Sequence, residues 1–202
     1  METLPHVMAK ENIDVALLQE TKKPSDTLEI DGYYFFLHGE EKEKRAGVAI
    51  VLSPRAFQAW HRAGRPEPIR INCADAGRII GLHLTFLDHA KRNVRMFVVS
   101  AHLPHSGYSD DAFLECFEKI EKLIDDFPED VIPHVGADLN AQLGIRSDSP
   151  DFSDVIGPYG IKGCNPRGQK ALQILTSMGL RSATSYFPAK SYWSWTSIKD
   201  GR

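Results

Sequence analysis

Cysteine is scarce in this chain: Cys73, Cys116 and Cys164 lie far apart and are odd in number. No CxxC pair exists, so neither a zinc site nor a dithiol redox motif is supported. Buried thiols in a reducing compartment are the expectation. Charge of one sign is also lacking, since 24 Lys plus Arg against 27 Asp plus Glu leave a net charge of −3. Bulk attraction to nucleic acid or to an anionic membrane is therefore not expected, and a polyanion would have to be held by a local basic patch or a bound cation. No apolar run approaches the roughly 20 residues that a membrane-spanning helix needs. The opening METLPHVMAKENIDV has no basic segment followed by an apolar core, so no secretory signal is read there. Repeats and low-complexity tracts are absent as well. An intracellular protein with no membrane partner is the expectation, and no protein partner is indicated.

What the chain does have is 42% apolar and 25% charged residues over 202 positions, the balance of one globular domain with a sizeable core. Strand candidates fall at 13–18, 33–37, 46–52, 78–87, 94–103, 131–135, 181–187 and 192–196. Residues 3–12 read as a helix behind Thr3. A clearer helix starts at Ser109, with Asp110 and Asp111 in its first turn and an apolar stripe of Phe113, Cys116, Phe117, Ile120, Leu123 and Ile124. A third starts at Asn165-Pro166, stops near Gly179 and turns Leu172, Leu175 and Met178 inward. Residues 140–163 read as loop. Arg62, Arg65 and Arg70 are placed in a Pro-rich loop, and Lys91, Arg92 and Arg95 at a turn; solvated charge is the expectation for both clusters. Strands outnumber helices and mostly look antiparallel. The expected fold class is α/β (α+β), with two packed sheets flanked by helices.

Three apolar strands run into polar groups. VALL leads to Gln19-Glu20-Thr21, FVVS to Ala101-His102-Leu103-Pro104-His105, and VIPHV to Gly136-Ala137-Asp138-Leu139-Asn140. Strand carboxyl ends along one rim of a sheet are where ligands tend to sit. Glu20 is a hard oxygen ligand, and one carboxylate plus waters suits Mg²⁺. Asp138 and Asn140, at i and i+2, would share a side if the strand continued. An acceptor that orients water, beside an amide that donates to a phosphoryl oxygen, is what in-line phosphoester hydrolysis needs. His102 would donate a hydrogen bond to the phosphate. The plainer readings, a solvated strand end for Glu20 and a strand-ending turn for Asp138 and Asn140, stay open on the residues alone.

At these same positions the sequence resembles the endonuclease/exonuclease/phosphatase superfamily, closest to its non-LTR retrotransposon (apurinic-like) endonuclease branch. LLQET at 17–21 is similar to the superfamily's metal-binding glutamate motif, SAHLPHSG at 100–107 to its catalytic tyrosine-or-histidine segment, and GADLNA at 136–141 to its G-D-F-N element. NPRGQKAL at 165–172, followed by YWSWTS at 192–197, resembles the retrotransposon-type branch. The resemblance implies a four-layered sandwich and Mg²⁺-dependent phosphodiester cleavage, with Mn²⁺ as the other candidate ion and DNA as the substrate. It implies that Glu20 binds the metal, that His102 contacts the scissile phosphate or helps to orient the active site, that Asp138 aligns or activates the attacking water and that Asn140 helps to hold the transition state. His105 and Lys22 would touch the substrate. By analogy with the superfamily, the location would be nuclear.

The superfamily's pattern also has an asparagine on an earlier strand, and a late aspartate with an S-D-H segment, for which this sequence offers no match. One domain over 1–202, lacking its first strand and its last strands, is therefore expected, inactive or nearly so as it stands and marginally soluble. A phosphatase or sphingomyelinase-like phosphodiesterase of the same superfamily is the alternative, favoured by histidine rather than tyrosine in SAHLP. A degenerate noncatalytic fragment is the third reading.

Overall fold

Val48–Leu52 (β4) carries five apolar residues in a row and is buried at every one of them, as a strand covered on both faces must be. It pairs antiparallel with Val15–Gln19 (β1) on one side and Tyr33–His38 (β3) on the other, and Asp26–Ile30 (β2) completes the sheet in the order β1-β4-β3-β2. In this computed structural model residues 3–41, 46–74, 76–126 and 128–189 are described. β2 is an element that periodicity did not reveal. It is joined to β3 by Asp31 and Gly32, both at positive φ (52° and 78°), which is the geometry of a tight two-residue hairpin.

A second sheet follows in the order β5-β6-β7-β8. Ile69–Cys73 (β5), Ala76–Leu87 (β6) and Asn93–His102 (β7) form an antiparallel meander. Val131–Asp138 (β8) pairs parallel to β7, after a crossover through Asp110–Asp125 (α3). The Ser109 hydroxyl caps α3 by accepting from the Ala112 N–H at 3.2 Å, and the helix buries Phe113, Cys116, Phe117, Ile120 and Leu123. The two sheets share one core. Phe36, Val48, Ile50 and Leu52 meet Ile80, Leu82, Leu84 and Val98, with Val15 and Leu17 of β1 packed against them.

Pro54–Arg62 (α2) lends Ala56 and Ala59 to that core. Its N-cap is Ser53, whose hydroxyl accepts from the Ala56 N–H at 3.2 Å and donates to Asp14 Oδ1 at 2.9 Å. The arginines assigned to a loop are thereby corrected: Arg62 closes α2 and donates Nε to the Thr85 carbonyl at 3.0 Å, while Arg70 lies on β5 and donates Nε to the Leu37 carbonyl at 3.1 Å. The expectation of free buried thiols is corrected too. Cys73 at the end of β5 and Cys116 in α3 form a disulfide with Cα atoms 5.8 Å apart. The pair is 43 residues apart in sequence, so only the packing of α3 on β5 brings it together. Cys164 is free.

These elements belong to the first of two compact units, Met1–Asn140, which also holds Leu4–Lys10 (α1); the second is Ala141–Arg202. In the second unit Pro166–Ser177 (α4) starts at Asn165, whose side chain accepts from the Gly168 N–H at 2.7 Å. Residue 168 has no space for a side chain, because a Cβ there would lie 1.9 Å from the Gln142 carbonyl oxygen. The N-x-x-G spacing thus serves a helix cap and a close backbone approach. Val155, Ile156 and Leu172 form a small core with Leu143, Phe152, Cys164 and Leu175.

The strand expected at 181–187 is instead a 3₁₀ turn, Ala183–Tyr186. Ser185 donates both its N–H and its hydroxyl to the Ser182 carbonyl, local bonds that compete with a strand ladder. The strand and motif expected at 192–197 lie outside the described residues. No helix among the described residues is long and apolar enough to cross a membrane. The architecture is α+β, two mostly antiparallel sheets with helices.

Candidate active site

β1, β7 and β8 end at the same rim, and a buried polar knot ties them together. Gln19 donates Nε2 to Ser100 Oγ at 3.0 Å and to the Gly136 carbonyl at 3.1 Å, and Ser100 Oγ donates to the Leu18 carbonyl at 2.8 Å. Ser100 is fully buried. The sheets close tightly below the knot, because a Cβ on Gly136 would lie 2.7 Å from Leu17 Cδ1. Gln19, Ser100 and Gly136 thus fix the heights at which the next residues of each strand emerge. Sequence reasoning placed these three inside its motifs without seeing that they bind the sheets to one another.

Glu20, His102 and Asp138 are the next polar side chains beyond the knot. Glu20 follows β1 with φ at 54°. Its carboxylate Oε1 lies 3.9 Å from His102 Nε2, the glutamate side chain 61% exposed and the histidine 7%. The carboxylate therefore faces solvent while the imidazole is set in the wall beneath it. His102 and Asp138 are register partners at the ends of β7 and β8. Burial pushes the His102 imidazole below the ordinary histidine value, and Arg78 pushes it the same way. Asp138 and Glu20 pull in the opposite direction, and His105 adds to the lowering. A neutral ring presents one donor and one acceptor. His102 Nδ1 is buried without a hydrogen-bond partner among the described residues.

Asn140 departs from its expected placement. β8 ends at Asp138 and the chain turns, with Asn140 at φ 47°, so strand alternation does not set the two side chains side by side. The Asn140 N–H donates to Asp138 Oδ1 at 3.0 Å, and its Nδ2 donates to the Leu103 carbonyl at 2.8 Å. Leu103 in turn donates its N–H to the Asp138 carbonyl at 2.9 Å. This turn locks the end of β8 to the segment after β7 and leaves the second Asn140 amide hydrogen available. The plainer reading of this pair, a strand-ending turn, describes its geometry.

Lys22 and His105 flank the group. Lys22 is exposed, with its N–H on the Ala46 carbonyl at 3.0 Å. His105 is exposed, accepts the Gly107 N–H on Nδ1 at 3.0 Å, and packs edge-on to Tyr108 with ring centroids 4.9 Å apart. Among the described residues neither makes a hydrogen bond or ion pair to Glu20, His102 or Asp138.

No group of three or more His, Cys, Asp or Glu side chains among the described residues is placed to hold a metal ion. A sparse Mg²⁺ site needs only one or two carboxylates, with water and substrate oxygens completing its shell. Glu20 is the exposed carboxylate, and Asp138 is the second within the group.

No family model matches the chain. Over 205 aligned residues it is 20% identical to craniofacial development protein 2 of Bos taurus and 22% identical to that of Tragulus javanicus. All of this chain is covered, and it spans about a third of the length of these relatives (31% and 32%). Among solved structures it is similar to the catalytic domain of Xenopus laevis APE2, 12% identical, with a TM-score of 0.59 over 86% of this chain and 62% of that one. That likeness shows a shared fold.

Proposed function

We propose that this chain, whose fold is that of the endonuclease/exonuclease/phosphatase superfamily, is a Mg²⁺-dependent phosphodiesterase acting on DNA, an endonuclease of the retrotransposon type. The observation that carries the reading is the meeting of Glu20 and His102 at 3.9 Å across two sheets, with Asp138 in register beside the histidine. A carboxylate, an imidazole and a second carboxylate are thus grouped at the carboxyl ends of three strands. The retrotransposon assignment is supported by NPRGQKAL and YWSWTS. A DNA substrate would set the work in the nucleus.

The side chains divide the reaction as follows. A divalent ion, when bound at Glu20, would supply charge neutralisation at the phosphoryl oxygens and a lowered pKa for its own water. Asp138, with Oδ1 already accepting the Asn140 N–H, presents its remaining oxygen to align a water and take its proton. The second amide hydrogen of Asn140 donates to the phosphoryl oxygen on which charge develops. His102, neutral at pH 7 through burial, donates its ring N–H to the phosphate without adding a full charge. Lys22 and His105, both exposed, contact the flanking strand.

Supercoiled-plasmid nicking with Mg²⁺, set against an EDTA control and a panel of phosphomonoesters, tests this. Slow nicking is expected, because the described residues offer few metal ligands. Glu20→Gln and Asp138→Asn should each reduce it by about 100-fold or more. Nicking that survives both substitutions would overturn the reading. Hydrolysis of the phosphomonoesters in place of DNA would transfer the site to the phosphatase alternative.

A further inference from the structure

Arg78 is 2% exposed, and no carboxylate among the described residues pairs with it. Its NH1 donates to the His102 carbonyl at 3.1 Å, and its Cζ lies 5.0 Å from the centroid of the Tyr108 ring. Its Nε is shielded from solvent and meets no acceptor among the described residues. Burying a guanidinium without an anion is costly, and an apolar side chain of similar volume would pack at lower cost. Charge pairing among the described residues therefore does not account for an arginine here.

Its position does. Arg78 stands on β6 at the point where the β5–β6 register shifts, between Gly77 and Ile79, which pair with Asn72 and Ile71. The β6–β7 ladder runs as far as Ile79 with Ala101, one residue from Arg78 and one from His102, and His102 is the register partner of Asp138. Arg78, His102 and Asp138 thus lie at the same end of three adjacent strands. The guanidinium also reaches both ends of the segment that follows β7. It bonds the carbonyl of His102 at the start and lies against the ring of Tyr108 at the end. Between them the Tyr108 N–H donates to the His105 carbonyl and the Gly107 N–H to His105 Nδ1, each at 3.0 Å.

We propose that Arg78 is a positioning residue that clamps segment 102–108 and thereby sets the imidazoles of His102 and His105 at the rim. Its consequence for catalysis rests on the hydrolytic reading above, whereas the clamping rests on the contacts alone. A planar guanidinium donates in its plane while lying against an aromatic face; an ammonium has neither the plane nor the fork.

The test is amide hydrogen exchange on the full chain for Arg78→Met and Arg78→Lys, run beside plasmid nicking. Both variants should raise the exchange rates of the Gly107 and Tyr108 amides roughly tenfold or more. The ladder amides of β6 and β7 between Leu82 and Val98 should be unchanged. In nicking, kcat should fall while KM stays within about twofold. Should Arg78→Met fail to fold, Arg78→Lys carries the test, because it keeps the charge and loses the clamp. Unchanged Gly107 and Tyr108 exchange overturns the proposal whatever the nicking assay gives. So does loosening that spreads through the ladder, or a lysine with wild-type protection. Loosening confined to the segment in a wild type that never nicks DNA upholds the clamp and sinks the hydrolytic reading instead.

Discussion

Replacing Gly136 with alanine perturbs the closest approach of the two sheets. The new Cβ would meet Leu17 Cδ1 at 2.7 Å and Leu17 Cβ at 2.8 Å. The first atom can swing away, but the second is fixed to the β1 backbone, so the strands must separate by several tenths of an ångström. Overpacking of this kind costs about 1–3 kcal/mol. The Gly136 carbonyl also accepts from Gln19 at 3.1 Å, and a shifted strand strains that bond, so a value near 2 kcal/mol is expected. Leu17→Gly alone removes a partly buried side chain packed on the core, its Cβ included, which costs about 3 kcal/mol. The double variant removes the clash, so its loss should fall short of the sum of the singles by about 1 kcal/mol. Urea unfolding of the four proteins supplies the cycle. Strict additivity, or a Gly136→Ala loss below about 0.5 kcal/mol, would refute the claim that this contact sets the sheet separation under the site.

The Cys73–Cys116 disulfide closes a loop with a sequence separation of 43, so reduction should lower stability by about 4 kcal/mol. Thiol titration in denaturant should find only Cys164 before reduction and all three cysteines after it. Burial holds the imidazoles of His38 and His102 below the ordinary histidine value. The neutral form is thus favoured by folding, and its contribution is complete above about pH 6.5 and is lost as pH falls toward the folded-state values. Urea midpoints should decline as pH falls from about 6.5 to 5, and His38→Asn should flatten that slope.

That three strands end in polar groups was legible because a strand end followed by a polar group is a local signal, and LLQET, SAHLPH and GADLNA each carry one. β2 was equally local, announced by Asp31-Gly32, but its exposed DTLEI pattern lacks the apolar alternation that marks a strand. α2 had a Ser-Pro start and was hidden among prolines and arginines. Residues 181–187 misled in the other direction, since their apolar and aromatic residues look β-prone while the serines settle into local bonds. The disulfide and the Arg78 clamp were not legible at all. Each depends on register and helix placement, which bring together residues that spacing keeps apart.

Mn²⁺-induced line broadening in the nuclear magnetic resonance spectrum of the full chain tests most directly whether Glu20, His102 and Asp138 act on one ion. Broadening is predicted at the amides of residues 19–22, 101–103 and 137–140 together, and it should vanish in Glu20→Gln. Broadening centred elsewhere, or surviving that substitution unchanged, would contradict the account.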